Sequence, residues 1–140
     1  MTRKRTDRQI TKIAVISETD AKLGIYGIDE LENLGYEILS PRTKILFWPE
    51  KIINAVEHRL GFKVFKIIQA LPLIHKADIV LCIFEPYGEF AALLKRARFL
   101  VSFNKPLIVM SCWLGEKLSQ KDSRVNDRFA RNFKSADLIT

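Results

Sequence analysis

The chain has 140 residues, with 23 Lys and Arg against 16 Asp and Glu, which gives a formal net charge of +7. This length suits one domain, and 48% hydrophobic residues are enough to fold around a core. No apolar run reaches the ~18–20 residues that span a bilayer, and no signal-peptide core follows the charged N-terminus. Two cysteines, Cys82 and Cys112, do not make a disulfide scaffold. We therefore expect a cytoplasmic protein whose cysteines are reduced and packed in its interior.

The chain begins with a polar, basic stretch that we interpret as a flexible arm over residues 1–11. It either serves as a solubility tail or contacts phosphate groups or an anionic surface, and the sequence leaves both open. A single domain is predicted over residues 12–140.

Apolar and β-branched runs alternate with helix-spaced apolar residues along that domain. Strands are expected over 12–17, 36–40, 78–84, 107–111 and 136–140, and helices over 25–34, 49–60, 62–75, 90–101 and 125–133. Pro72 is expected to kink or end the third helix near Leu71. This alternation predicts an α/β, Rossmann-like, doubly wound parallel sheet with helices on both faces.

Ligands of such sheets bind outside the carboxyl ends of the strands, which selects the segments 17–27, 40–43, 85–89 and 111–116. The dinucleotide fingerprint is absent, since only Gly24 and Gly27 are present in the first loop, and Glu18 there would repel a pyrophosphate. No phosphate-binding P-loop occurs either. Gly24 and Gly27 either admit a ligand to the start of the first helix or relieve a turn.

Two carboxylates, Glu85 and Glu89, flank the third strand's carboxyl end. A spacing of four around a turn would bring them to one site as an acid/base pair, while an ordinary helix start would use Glu89 to complement the helix dipole. Glu85 is the better functional candidate because it follows a buried strand directly. His58 and His75 have no metal-ligand partner at a useful spacing, so no metal site is predicted.

Basic residues recur on one side of the last predicted helix, at Arg124, Arg128 and Arg131. This face is either solvated or directed at anionic lipid headgroups or an acidic partner. Phe47 and Trp48 precede Pro49 and either touch a membrane surface or pack onto the helix behind them.

Several segments together resemble the opening of a GT-B-fold glycosyltransferase of the retaining, glycogen-synthase-like group (group 1 type). The segments that carry the resemblance are 12–17, 26–38, 77–81, 105–109 and 128–140. The order and spacing of these segments support the resemblance more strongly than their individual residues do.

The resemblance implies hexosyl transfer from a nucleotide sugar, the donor substrate, to a sugar or lipid-linked acceptor, without another cofactor. In that family the donor binds mainly to a second domain. This chain would then be the N-terminal, acceptor-side half and would need a second domain or subunit, with a peripheral membrane location as one possibility. Glu18, Gly24, Glu85 and Trp113 line the predicted cleft and are the expected substrate contacts. No catalytic base is assigned.

Two other hypotheses stay open. The chain is also similar to the nucleoside deoxyribosyltransferases in its parallel sheet, its Asp-led third strand and its cleft carboxylates, and there Glu85 or Glu89 would be the nucleophile. Alternatively, the chain is a non-enzymatic, basic Rossmann-like binding module. Nucleic acid is not the expected partner, because no helix-turn-helix, zinc-finger or RNA-recognition signature is present.

Overall fold

The computed structural model describes residues 10–19, 25–41, 49–61, 63–97, 103–111, 127 and 130–140. Within these ranges the strands are β1 (Lys12–Ile16), β2 (Glu37–Leu39), β3 (Ile79–Ile83), β4 (Leu107–Met110) and β5 (Leu138–Ile139). The helices are α1 (Ile28–Asn33), α2 (Glu50–Leu60), α3 (Phe65–Lys76) and α4 (Glu85–Ala97), and short 3₁₀ turns cover Ile25–Gly27 and Phe133–Ser135.

The five strands form one parallel sheet in the order β2-β1-β3-β4-β5. This is the flavodoxin-like order of doubly wound folds, in which the chain moves outward from β1 in one direction and from β3 in the other. The predicted α/β doubly wound parallel sheet is therefore confirmed.

Each face of the sheet is covered by helices, as the sequence predicts. One face carries Ala14, Ile16, Val80, Cys82, Leu107 and Val109, which pack with buried residues of α3 and α4. The opposite face carries Ile13, Val15, Leu81 and Ile83, which pack with Ile28 of α1. Successive residues of a strand point to opposite faces, so continuous apolar runs are what a sheet buried on both sides requires.

Residues 1–9 of the predicted arm lie outside the described residues. Its end belongs to the fold, because the carbonyl oxygen of Thr11 accepts a hydrogen bond from the backbone N–H of Glu37 at 3.0 Å. Among the described residues, no helix is long and apolar enough to cross a membrane.

Pro72, expected to kink or end its helix near Leu71, does not end it, because α3 continues to Lys76. Proline removes the hydrogen bond that would reach the carbonyl group of Ile68, four residues earlier. Ile68 and Pro72 are both exposed, so water can satisfy that carbonyl group and the helix continues.

Of the two interpretations left open for Glu85 and Glu89, the structure shows the ordinary helix start, because α4 begins at Glu85 itself. Pro86 falls in the first helical turn, where its missing N–H costs no intrahelical hydrogen bond. Gly88 lets this helix approach the sheet closely: a Cβ atom at Gly88 would lie 2.4 Å from Cγ1 of Val109. The first turn of α4 is therefore pressed against β4.

A buried glutamate joins α2 to α3. The Oε1 atom of Glu57, in α2, accepts hydrogen bonds from the backbone N–H groups of Val64 and Phe65 at 3.0 and 3.1 Å. Its Oε2 atom lies 3.1 Å from Nζ of Lys63. Glu57 thus supplies the side-chain cap that the residues before α3 do not provide.

Candidate functional site

The strand order places the topological switch point between β1 and β3. The chain leaves these two neighbours in opposite directions, and in open α/β sheets ligands bind outside the carboxyl ends of such strands. The described segments at this edge are 17–19 after β1, 25–27 before α1, and 84–89 after β3. Ser111 lies at the same edge, after β4.

Glu85 is the most deeply buried charged residue of this edge, with 1% of its surface exposed. The hydroxyl group of Ser111 donates a hydrogen bond to its Oε1 atom at 2.5 Å. The contact links the first residue of α4 to the end of β4 and fixes the orientation of the carboxylate. Removing a carboxylate from water is costly, so a buried one at a strand mouth is a functional-site candidate.

Glu89 is also buried and lies one turn along the same helix face. The side-chain amide of Asn132 donates a hydrogen bond to its Oε1 atom. Further along, the Ser135 hydroxyl donates to the carbonyl oxygen of Ala92, and Lys95 pairs with Asp137. Glu89 is therefore the first of several polar contacts that hold the segment 131–137 against α4. This is a positioning role, distinct from that of Glu85.

Tyr87, in α4, interacts electrostatically with Glu18, which follows β1. Its side chain is buried, and burial raises the pKa of its hydroxyl group, which the negative charges of Glu18 and Glu57 raise further. The hydroxyl group is therefore protonated at neutral pH and lies within electrostatic reach of both carboxylates. Glu18 is exposed, so solvent reaches its carboxylate.

An aromatic pair crosses the switch point. The rings of Tyr26 and Phe84 meet edge to face, with centroids 5.4 Å apart. Both residues have left-handed backbone conformations, with φ of 62° and 76°. A non-glycine residue in this region costs about 1–3 kcal/mol, and such strain concentrates at functional sites. Tyr26 keeps 46% of its surface exposed, so its ring can meet a ligand.

Sequence reasoning did not single out Tyr26, Phe84 or Tyr87. Tyr26 lies between Gly24 and Gly27, so the glycine-containing loop was the available signal. Nothing in the sequence indicates that Tyr26 and Phe84 adopt positive φ angles, because aromatic residues rarely do so.

Four of the predicted site residues, Gly24, Trp113, Arg124 and Arg128, lie outside the described residues. Arg131, the third member of the predicted basic face, is exposed, and its carbonyl oxygen accepts a hydrogen bond from Nη1 of Arg96 at 3.4 Å.

Glu18 and Glu85, the other two predicted substrate contacts, lie at the two strand ends that flank the switch point. The expectation that Cys82 is a buried core residue is confirmed, and burial raises the pKa of its thiol group.

In the part of the chain that the structure describes, no three His, Cys, Asp or Glu side chains are grouped so that they could hold a metal ion. His58 and His75 are exposed.

The chain was compared with models of known protein families, with curated proteins and with solved structures, and none of them matches it.

Proposed function

We propose that this chain is a glycosyl-transferring enzyme that binds a nucleoside-type substrate at the edge between β1 and β3. The observation that carries the proposal is the buried carboxylate of Glu85, held by Ser111 at the mouth of the sheet. Cleavage of a glycosidic bond passes through a transition state with positive charge on the sugar ring. A carboxylate shielded from water stabilises that charge more strongly than an exposed one does.

In the proposed reaction the Glu85 carboxylate faces the anomeric carbon of the sugar. It attacks that carbon as the bond to the base breaks, and a glycosyl ester forms while the base leaves with the bonding electron pair. A proton from solvent neutralises the leaving base. Water or a second base then attacks the ester, loses a proton to solvent, and regenerates the carboxylate.

The aromatic pair at the switch point supports a substrate with a planar ring. Tyr26 is half exposed and its ring is braced by Phe84, so it offers a flat surface against which a nucleobase can stack. Glu89 holds the segment 131–137 and is proposed to position α4 without contacting the sugar.

The acceptor-side half of a two-domain glycosyltransferase is the other form of the same chemistry. Here Glu18 and Glu85 would contact the acceptor, while the nucleotide sugar would bind mainly to a second domain or subunit. The segments that resemble the GT-B family favour this form. The two forms can be told apart by measurement, because the isolated chain would transfer no sugar if it were only half of the enzyme.

The proposal is tested by incubating the purified chain with purine and pyrimidine nucleosides, with and without a second free base, and measuring released and exchanged base by chromatography. Wild-type protein is expected to cleave or exchange at least one nucleoside. Glu85→Gln should lower the rate by about 10²–10⁴-fold, the range for loss of a group that takes part in the chemical step. Glu89→Gln is the matched variant one turn away and should reduce the rate less.

Wild-type protein without activity on any nucleoside would contradict the self-contained enzyme. The half-enzyme form would then be tested by titrating the chain with nucleotide sugars and by measuring the intact mass of the native protein. A mass well above 16.2 kDa supports the half-enzyme.

A further inference from the structure

Helix α2 carries an apolar stripe that is partly exposed to solvent. Ile52, Val56 and Leu60 follow one another at a spacing of four, which aligns their side chains on one side of the helix. They are 44%, 38% and 43% exposed. The same helix buries only Ile53 and Glu57. We call Ile52, Val56 and Leu60 the α2 stripe.

The charges around the α2 stripe are positive on its outer side. Helical geometry places Arg59 directly beside the stripe and Lys51 farther round on the same side, away from the protein body, and both are exposed. Glu50 lies on the inner side, next to Glu57, whose carboxylate is buried and paired with Lys63. An occupant of this surface therefore meets apolar groups bordered by positive charge.

We propose that the α2 stripe docks on the surface of an anionic lipid bilayer. A helix with an apolar face bordered by Lys and Arg lies in the interface of such a bilayer, with the apolar side chains among the acyl chains and the cations among the headgroups. The net charge of +7 opposes self-association through this surface.

Docking through α2 would bring the candidate site close to the bilayer. The segment after α2 is joined to the first turn of α4 by a hydrogen bond of 3.1 Å from the backbone N–H of Lys63 to the carbonyl oxygen of Pro86. The residue before Pro86 is Glu85. The docking proposal is independent of the proposed reaction and stands if the chain has no activity on nucleosides.

The test is co-sedimentation of the full chain with phosphatidylcholine vesicles that contain phosphatidylserine, and with vesicles of phosphatidylcholine alone. Wild-type protein is expected to bind the anionic vesicles and to be released by high salt. The triple variant Ile52→Ser, Val56→Ser, Leu60→Ser should weaken binding at least ~10-fold, because the apolar contribution is lost. Arg59→Gln should weaken it about fivefold, the effect expected for one cation near the surface.

Two control variants separate this surface from general hydrophobicity and charge. Leu34→Ser removes an exposed apolar side chain at the end of α1, and Lys76→Gln removes an exposed cation at the end of α3. Both should bind as wild type does. All variants change exposed residues, so their circular dichroism spectra should match that of wild type.

Three outcomes would overturn the proposal. Wild-type protein could remain in the supernatant with anionic vesicles. The triple variant could bind as wild type does, which would assign binding to another basic segment such as residues 1–11. Sedimentation equilibrium could show a wild-type dimer that the triple variant does not form, and the α2 stripe would then be an interface between two copies.

Discussion

The close approach of α4 to the sheet gives a sharp prediction about stability. In Gly88→Ala the new Cβ atom would lie 2.4 Å from Cγ1 and 2.7 Å from Cγ2 of Val109, well inside van der Waals contact. Overpacking of this kind costs about 1–3 kcal/mol, and alanine's advantage over glycine in a helix returns at most ~1 kcal/mol. We therefore expect Gly88→Ala to destabilise the protein by about 2 kcal/mol.

The reasoning is tested by a double-mutant cycle with Val109→Ala. That single change removes two buried methyl groups and should cost about 2–3 kcal/mol, but it also removes the two atoms nearest to the new Cβ and leaves the Cβ atom of residue 109 at 3.1 Å. In the Val109→Ala background, Gly88→Ala should therefore lose most of its cost. The two substitutions should thus show a favourable coupling of about 2 kcal/mol in urea unfolding followed by circular dichroism.

The cycle has a clear refuting result. If Gly88→Ala costs the same in both backgrounds, Val109 is not the obstacle, and the close approach of α4 to β4 is not what holds Glu85 beside Ser111. A catalytic readout accompanies the stability measurement, because moving α4 outward lengthens the hydrogen bond from Ser111 to Glu85. Gly88→Ala should lower any transferase activity, and the double variant should recover part of it.

Three further predictions concern groups outside the reacting centre. In a urea titration, Glu57→Ala should destabilise the protein by about 2 kcal/mol, because two backbone N–H groups lose their acceptor. The control Glu50→Ala, which changes an exposed residue of the same helix, should change stability by less than ~0.5 kcal/mol. The hydrogen bond from Lys95 lowers the pKa of Asp137, so the carboxylate stabilises the fold at neutral pH and this contribution is lost as the pH falls through the folded-state pKa. Thermal melts should therefore show Asp137→Asn less stable than wild type at pH 7, with the difference vanishing in acid; a constant difference would contradict this. Cys82, buried and with a raised pKa, should react with a thiol reagent only after unfolding, and rapid labelling of this residue in the native protein would contradict its burial.

The order of strands and helices along the chain was predictable because local patterns encode it. A sheet that is buried on both faces needs runs such as residues 79–83 in which every side chain is apolar. Gly35 and Gly61 follow helices in left-handed conformations, with φ of 92° and 77°, which glycine adopts without strain. The placement of Glu18 and Glu85 at strand mouths followed from the same patterns.

The helix boundaries near proline were less predictable, because the effect of a proline depends on its surroundings. Pro72 ends no helix, since the carbonyl group it leaves unpaired is on an exposed side of α3. Pro86 lies inside the first turn of α4 without breaking it. In both cases the outcome depends on which neighbouring backbone groups reach water or another partner.

By itself, therefore, the sequence determined the class of fold, the succession of its elements and the strand ends at which we propose a site, because periodicity and turn residues act over a few positions. The tertiary structure alone decided that β3 pairs with β1, that Glu57 caps α3, and that Tyr26 meets Phe84 across the switch point. These features join residues far apart in sequence, and their conformations are held by packing that no local pattern specifies. The separate roles proposed for Glu85 and Glu89 arise in the same way, because their partners, Ser111 and Asn132, come from other parts of the chain.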